Sequence, residues 1–160
     1  MDGRKFRFAM GNFSTGVTVI TTELDGEVSG MTANAFMSLS MDPELVVISI
    51  DEKAQMLEKI KRSGKYAVNI LSAEQQDLSM NFAGQSKLDK DIPFQKLSGV
   101  PVIEGSLAQV SCEVTGSHVE GDHTLFIGRV NDIHLEDNEP LVFFKGKYRS
   151  LSPIEEMASG

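Results

Sequence analysis

The sequence predicts a mainly β protein, a mostly antiparallel barrel with a few short helices at its periphery. Residues 17–22 are all β-branched, residues 45–50 form an apolar run, and residues 108–115 alternate between apolar and polar side chains. These strand-like segments follow one another without long helices between them, which argues against a doubly wound parallel sheet. A barrel with short connections fits this order better.

Length and composition fit one globular domain. The 160 residues are 41% hydrophobic and 24% charged, and we expect a single domain at 1–152 followed by a flexible tail at 153–160. No apolar run is long enough to cross a bilayer and no signal-like segment is present, so we expect a cytoplasmic protein without membrane contact. The single cysteine, Cys112, excludes an intrachain disulfide. A net charge of −8 with scattered Lys and Arg argues against nucleic-acid binding.

The N-terminal half is predicted to contain two helices and three strands. Apolar residues recur at helical spacing at Phe6, Ala9, Met10 and Phe13. The pair Asp25-Gly26 predicts a hairpin turn between strands at 17–22 and 28–31. A third strand at 45–50 precedes a short helix at 54–62, which Gly64 is expected to end.

The C-terminal half is predicted to continue with strands around one further helix. Residues 66–71 predict a strand, and Ser72 with Gln75 has the spacing of a capping box that opens a helix. We expect that helix to end at Gly84 and to be followed by a long surface loop at 85–99. The remaining strands are predicted at 108–115, 124–130, 133–135 and 141–144, which gives seven or eight strands in all.

Small and polar residues alternate at 30–40, just before the apolar strand at 45–50. A backbone with small side chains can lie close to a flat ring rich in heteroatoms, and hydrogen-bonding side chains beside it can contact the ring edge. Those side chains are Thr32, Asn34, Ser38 and Ser40. The segment is therefore a candidate site for a planar cofactor, with flavin the first choice. The same pattern is also typical of a polar strand and loop, and the residues alone leave both open.

The other candidate residues carry weaker signals. Lys53 stands just before a predicted helix, where a phosphate could bind, although most such lysines are ordinary surface residues. His123, beside Asp122, could stack on a ring or could simply lie in a turn. A zinc site built from His118, Asp122 and His123 lacks the usual ligand spacing, so no metal is expected. Cys112 is expected to be a buried, inert thiol.

No Gly-x-Gly-x-x-Gly and no phosphate-binding Walker loop occurs in the chain, so a nicotinamide nucleotide would bind without a Rossmann crevice. Several segments, in this order, resemble the short-chain NAD(P)H:flavin reductase family. They are residues 16–22 (GVTVITT), 30–36 (GMTANAF), 38–40 (SLS), 42–43 (DP), 81–84 (NFAG), 121–128 (GDHTLFIG) and 148–151 (YRSL). The resemblance extends from Phe6 to Leu151 and is strongest to the reductase components of two-component phenol and 4-hydroxyphenylacetate hydroxylases.

The resemblance implies a fold, an activity and partners. Members of the family are homodimers built on an FMN-binding split barrel of Greek-key type. They use NADH, sometimes NADPH, to reduce FAD or FMN, with hydride passing from the nicotinamide to the flavin. The reduced flavin then passes, by diffusion, to a separate oxygenase that hydroxylates an aromatic compound.

The resemblance also implies site residues. The flavin ring and ribityl chain are expected to contact Thr32, Ala33, Asn34 and Ala35, with Ser38 and Ser40 along the same cofactor. The phosphate end is expected to be lined by Ser49, Ile50, Asp51 and Lys53. Phe82 and Ala83 are expected to close over the flavin. His123 is expected to position the nicotinamide as the catalytic-site residue, with Tyr148 nearby. Many members carry serine where this chain has Ala35, so one hydrogen bond to flavin is expected to be missing.

Three alternatives remain open at this point. The chain could be a flavin carrier without activity, a flavin-bound oxidoreductase that acts directly on a nitro compound or a quinone, or an interaction domain without a cofactor.

Overall fold

The computed structural model describes residues 1–155, so residues 156–160 of the predicted tail lie outside the described part. The helices are α1 (Gly3–Gly11), α2 (Gln55–Ser63) and α3 (Gln76–Phe82), the last preceded by a 3₁₀ turn at Ala73–Gln75. The first strands are β1 (Thr15–Gly16), β2 (Thr18–Leu24), β3 (Glu27–Ala33), β4 (Phe36–Met41), β5 (Glu44–Asp51) and β6 (Lys65–Ile70). The others are β7 (Phe94–Leu97), β8 (Val100–Ile103), β9 (Ala108–Glu120), β10 (His123–Leu135), β11 (Val142–Phe144) and β12 (Lys147–Arg149).

Seven strands form one antiparallel sheet in the order β3-β2-β6-β9-β10-β5-β4. Its two edge strands, β3 and β4, are consecutive in the chain and are joined by only two residues, Asn34 and Ala35. The sheet must therefore curl until its edges nearly meet, because two residues span about 7 Å. The result is a barrel split between β3 and β4, which confirms the mainly β, split-barrel prediction.

The barrel interior is filled from β2, β5, β6, β9 and β10, and α2 packs on the same core. Met56, Leu57 and Ile60 of α2 are buried, and each contributes about 1.5–3 kcal/mol by leaving water. Gly64 ends this helix in the left-handed conformation, as its position in the sequence predicts. The hairpin turn at Asp25-Gly26 also has two positive φ angles, of 53° and 79°.

A buried aromatic ring crosses the middle of the barrel. Tyr66 is fully buried, and its hydroxyl donates a hydrogen bond of 3.3 Å to the carbonyl oxygen of Phe126. A Cβ built on Gly128 would collide with the Tyr66 hydroxyl and would lie 2.9 Å from the Cβ of Cys112. Burial raises the pKa of the Tyr66 hydroxyl far above its usual range and raises the pKa of Cys112 to about 12. Both groups are therefore uncharged, and Cys112 is an inert thiol, as expected.

A second layer covers the other face of β2, β6 and β9. The β7–β8 hairpin is attached to it by hydrogen bonds from buried amides. The Asn69 side chain donates to the Val19 carbonyl at 2.9 Å and accepts from the main-chain N–H of Ile103 at 2.8 Å. The Gln109 side chain donates to the Ile103 carbonyl at 2.8 Å. Gln109 and Ser111 at the start of β9 are thus buried, whereas strict alternation predicts that they face solvent; Glu113 further along the strand is exposed, as alternation predicts.

Three local predictions are wrong. The surface loop predicted at 85–99 contains strand β7, and residues 100–103 form β8, which the sequence patterns did not indicate. The two strands predicted at 124–130 and 133–135 are one strand of 13 residues, β10. The described residues form twelve strands rather than seven or eight. The short strands β1, β7, β8 and β12, of two to four residues each, were not predicted, and neither was β4 (Phe36–Met41), which lies in the segment interpreted as a cofactor site or a polar strand and loop.

Helix α1 forms where predicted, but none of its residues is buried. Phe6, Met10 and Phe13 are 55%, 56% and 78% exposed. The tip of the β11–β12 hairpin holds the end of the helix, because the main-chain N–H of Lys145 donates to the Gly11 carbonyl at 2.9 Å. Among the described residues, no helix has both the length and the hydropathy needed to span a membrane.

We predict that Gly128→Ala destabilises the protein by about 2–3 kcal/mol, because the added methyl group must displace the Tyr66 ring. Urea unfolding followed by circular dichroism measures the change. Gly116→Ala in the neighbouring strand is the control, since its Cβ would meet nothing closer than 3.7 Å. Equal stability of the two variants would show that the ring does not need this space.

Candidate active site

The two residues at the split of the barrel, Asn34 and Ala35, form a ledge with exposed side chains. Their carbonyls are used within the protein, since the main-chain N–H of Phe36 donates to Asn34 at 3.0 Å and that of Ser49 donates to Ala35 at 3.2 Å. The main-chain N–H groups of Asn34 and Ala35 make no hydrogen bond within the described part of the chain. The ledge therefore offers two free donors beside small side chains.

A first cleft of about 160 Å³ opens on one side of the ledge. Strand β3, helix α3 and the β11–β12 hairpin contribute most of its walls. Its lining residues are Val17, Thr32, Ala33, Asn34, Ser79, Ala83, Gln85, Phe143 and Tyr148. Five of the residues expected from the family resemblance thus meet in one place, although they come from three separate segments of the chain.

Buried Ser79 connects the walls of this first cleft. The Thr32 hydroxyl donates to the Ser79 carbonyl at 2.6 Å, and the Ser79 hydroxyl shares a 2.7 Å hydrogen bond with the Tyr148 hydroxyl. The Tyr148 ring also meets Phe143 edge to face, with ring centroids 5.3 Å apart. Helix α3 therefore fixes the position of Tyr148 relative to strand β3.

Gly30 is small for a reason that the sequence did not reveal. A Cβ at this position would lie 2.7 Å from the ring of Phe82, so the space beside Gly30 is filled by the protein's own aromatic side chain. Phe82 also contacts Phe94, with ring centroids 6.3 Å apart. Phe82 thus packs behind strand β3 and holds α3 in place, and it is absent from the lining of both clefts beside the ledge.

A second cleft, of about 400 Å³, lies on the other side of the ledge. It is mostly apolar, and α1, β4, β5 and β10 form its walls. Its lining residues are Met10, Phe13, Thr15, Asn34, Ala35, Phe36, Met37, Val47, Ile48, Ser49 and Leu125. The Thr15 hydroxyl oxygen is buried and has no hydrogen-bond partner among the described residues, so this cleft could accept a polar group from a ligand.

The expected nicotinamide residue lies further along the same face of the sheet. Ser49 pairs with Leu125, and two positions on, Asp51 pairs with His123. Side chains two residues apart point to the same face and are separated by about 7 Å. His123 therefore lies beyond the end of the second cleft, whereas Tyr148 lines the first cleft. The structure does not bring these two residues together.

Asp122 holds the His123 ring through a 2.8 Å contact between its carboxylate and Nδ1. That hydrogen bond, followed by the charge interaction with His123, lowers the pKa of Asp122, so its carboxylate stays ionised at neutral pH. The Asp122 carbonyl also accepts from the main-chain N–H of Glu52 at 2.9 Å, and the Asp51 carboxylate accepts from that of Lys53 at 2.8 Å. The turn that carries His123 is thus tied to the segment that leads into α2.

The remaining expected residues differ in what they can contribute. The side chain of Ile50 is fully buried in the core, so only its main chain can face a ligand. Ser38 and Ser40 lie on strand β4, on either side of an irregularity in its pairing with β5, and neither lines the two clefts. Lys53 is exposed beside the start of α2. Among residues 1–155, no group of three or more His, Cys, Asp or Glu could hold a metal ion.

Sequence reasoning missed several residues that line the clefts. Ser79 lies three positions before Phe82 on α3, and this helical spacing could have placed it on the same face as the expected residues. Phe143 could have been found as the neighbour of Tyr148 across a hairpin. Gln85 and Thr15 gave no signal, because only the tertiary structure brings them to the ledge.

Comparison with known proteins assigns the chain to a family. Residues 10–152 match the flavin reductase like domain. An NADH-dependent flavin reductase of a Rhodococcus species is 45% identical over 148 residues, covering 91% of this chain and 84% of the relative. The reductase component of 4-hydroxyphenylacetate 3-monooxygenase from Thermus thermophilus is 36% identical over 147 residues, covering 91% and 95%. The solved structure of the flavin reductase PheA2 in its native state has 61% identity and a TM-score of 0.93, covering 96% of this chain and 100% of that one.

This chain belongs to the flavin reductase like domain family. The predicted family and enzyme class, an NAD(P)H-dependent flavin reductase, are confirmed, as is the predicted cofactor pair of a flavin (FAD or FMN) with NADH or NADPH. The roles of individual residues stay predictions.

We predict that Ser79 and Tyr148 act as one unit. Ser79→Ala and Tyr148→Phe each remove the 2.7 Å hydrogen bond between the two hydroxyls, and each should raise the dissociation constant for flavin about three- to tenfold. The double variant should be no weaker than the worse single variant, because the bond is lost only once. Flavin fluorescence quenching measures the constants. Additive losses would mean that the two hydroxyls act independently.

Proposed function

We propose that this reductase holds the flavin ring on the Asn34–Ala35 ledge and the nicotinamide between the ledge and His123. The reduced flavin would then leave for a separate oxygenase that hydroxylates an aromatic compound. The observation that carries this proposal is the ledge itself, where two free main-chain N–H groups stand beside small side chains with a cleft on each side.

The residues at the ledge fit a flat, heteroatom-rich ring. Two main-chain donors can bond the polar edge of the ring, and preorganised donors of this kind stabilise negative charge that develops there. Flavin, when bound, supplies the redox chemistry by accepting hydride from the reduced nicotinamide. Ala35 leaves the approach to the ledge open, and Thr32 and Tyr148 are held in fixed positions by Ser79.

His123 is proposed to position the nicotinamide rather than to transfer a proton, because the hydride needs no acid or base. Asp122 fixes its ring through Nδ1, which leaves Nε2 and the ring face for the substrate. The exposed ammonium of Lys53, near Asp122, is proposed to attract a phosphate of the bound nucleotide.

Stopped-flow mixing of the protein with NADH, under anaerobic conditions, tests the function. We expect rapid bleaching of flavin absorbance only when free FAD or FMN is supplied. In the same instrument, His123→Ala should raise the apparent KM for NADH about tenfold and leave the flavin dissociation constant unchanged. A protein that stays yellow after NADH is added would be a carrier. Activity on a nitro compound or a quinone without free flavin would indicate a direct oxidoreductase.

The chain is further proposed to act as a homodimer. Two groups of apolar side chains are exposed: Phe6 and Met10 of α1 with Phe13 just after it, and Met37, Leu39 and Met41 of the edge strand β4. Met10, Phe13 and Met37 meet at the second cleft, so these side chains form one apolar surface rather than scattered contacts. A second copy of the chain would remove this surface from water and cover the free edge of β4.

Light scattering during size-exclusion chromatography should give a mass of twice the 17.5 kDa chain. Leu39→Glu should shift the protein toward monomer, because it places a charge in the apolar surface. Ile154→Glu is the control, since Ile154 is 94% exposed and lies outside that surface. A 17.5 kDa mass for the unaltered chain at micromolar concentration would contradict the dimer. The cytoplasmic location stays a prediction, which cell fractionation can test.

A further inference from the structure

A third cleft, of about 430 Å³, lies between α1 and the tip of the β11–β12 hairpin. Its lining residues are Arg4, Arg7, Phe8, Gly11, Lys145 and Gly146. Three of these side chains are cationic and none is acidic, in a chain whose net charge is −8. We call this the cationic cleft. Its charge is opposite to that of the molecule as a whole, so it is a local site of attraction for anions.

The cations of this cleft are not neutralised. Within residues 1–155, Arg4, Arg7 and Lys145 take part in no salt bridge. The carboxylate of Asp2, the N-cap of α1, accepts from the main-chain N–H of Arg4 at 2.9 Å. Helix α1 has no acidic residue in its first turn. Positive side chains near a helix start oppose the helix dipole and reduce stability, so their presence there points to a role other than folding.

Lys145 also occupies a position that usually favours other residues. Its φ is +51° and that of Gly146 is +74°, so the two form a hairpin turn of the kind that prefers Asn or Asp before Gly. The equivalent turn at Asp25-Gly26 uses the preferred residue. A lysine here carries a conformational cost, and the hydrogen bond from its N–H to Gly11 directs the turn toward α1.

Aromatic surface accompanies the charge. Phe8 is 71% exposed and lines the cleft together with Arg4, Arg7 and Lys145. Phe144, next in the chain to Lys145, has the Lys145 ammonium 5.2 Å and the Arg149 guanidinium 5.6 Å from its ring centre. An exposed aromatic ring beside several cations matches a ligand that combines a stacking base with phosphates.

We propose that the cationic cleft binds the adenosine diphosphate half of a dinucleotide substrate, with Phe8 stacking on the adenine and Arg4, Arg7 and Lys145 contacting the phosphates. This inference rests on the proposed function, in which FAD and NADH are the substrates that carry this group. The cleft is within reach of the ledge, because Met10 of the same helix lines the second cleft, which the ledge borders. A helix with its side chains is only about 10–12 Å across.

Calorimetric titration with ADP itself tests the proposal without any turnover. Arg7→Gln removes one cation, and Lys145→Asn removes another while placing a residue that suits the turn better. Each should raise the ADP dissociation constant about five- to tenfold, and the affinity of the unaltered protein should fall with added salt. Lys61→Gln is the matched control, since it removes one exposed charge from α2, where Lys61 pairs with Glu58.

Two further measurements identify which substrate supplies the group. If it is the flavin, the two variants lose affinity for FAD but not for FMN, which lacks the adenosine half. If it is the nicotinamide nucleotide, their KM for NADH rises with FMN as the acceptor. Either result supports the proposal. Failure of ADP to bind the unaltered protein, or equal ADP binding by both variants and the control, would overturn it.

Equal ADP binding by the variants and the control would be expected if the cleft binds an acidic partner protein instead of a nucleotide. In that case an oxygenase would bind the unaltered protein more tightly than the variants, and added ADP would not weaken this binding. The proposed function would stand in that case, because reduction of FMN by NADH in the unaltered protein tests it separately.

Discussion

The two-residue link between β3 and β4 is the constraint on which the rest of the structure depends. It joins opposite edges of a seven-stranded sheet, so the sheet can exist only as a nearly closed barrel. The carbonyls of this link accept hydrogen bonds from neighbouring strands, and its N–H groups have no partner among the described residues. The closure of the barrel thus creates the ledge, and the first and second clefts lie on its two sides.

The supporting structure keeps this ledge rigid from behind. Phe82 packs against the bare backbone of Gly30, and Ser79 links β3 to Tyr148 through two short hydrogen bonds. Helix α3 therefore contacts both the strand that leads into the ledge and the hairpin that faces it. On the opposite side, α1 is held by a single main-chain hydrogen bond to Lys145 and buries none of its side chains. The α3 wall of the site is held in place by contacts within the chain, whereas the α1 wall is exposed and can contact a partner or a ligand.

Much of this could be predicted from sequence, because several signals are local. Three features depend only on residues within a few positions of each other in the sequence: the β-branched run at 17–22, the Asp25-Gly26 turn and the capping box at Ser72. The ordered motifs include residues that the structure brings to the ledge and to one wall of the first cleft, and their roles there stay predictions. Strands β7 and β8 were missed because they are short, contain or follow prolines, and are stabilised by tertiary contacts such as those from buried Asn69 and Gln109. The roles of Ser79 and Gly30 were missed because each depends on a residue about 50 or more positions away.

Asn34 borders both the first and the second cleft, and this shared wall has an evolutionary consequence. Under the proposed function, a change at that position would alter the flavin site and the nicotinamide site at once, so the preferences for the two substrates could not change separately there. Gln85 belongs to one compartment and Met37 to the other, and both are exposed. Under the same proposal, substitution of Gln85 could change the flavin preference without altering the second cleft, whereas substitution of Met37 would also alter the apolar surface assigned to the dimer.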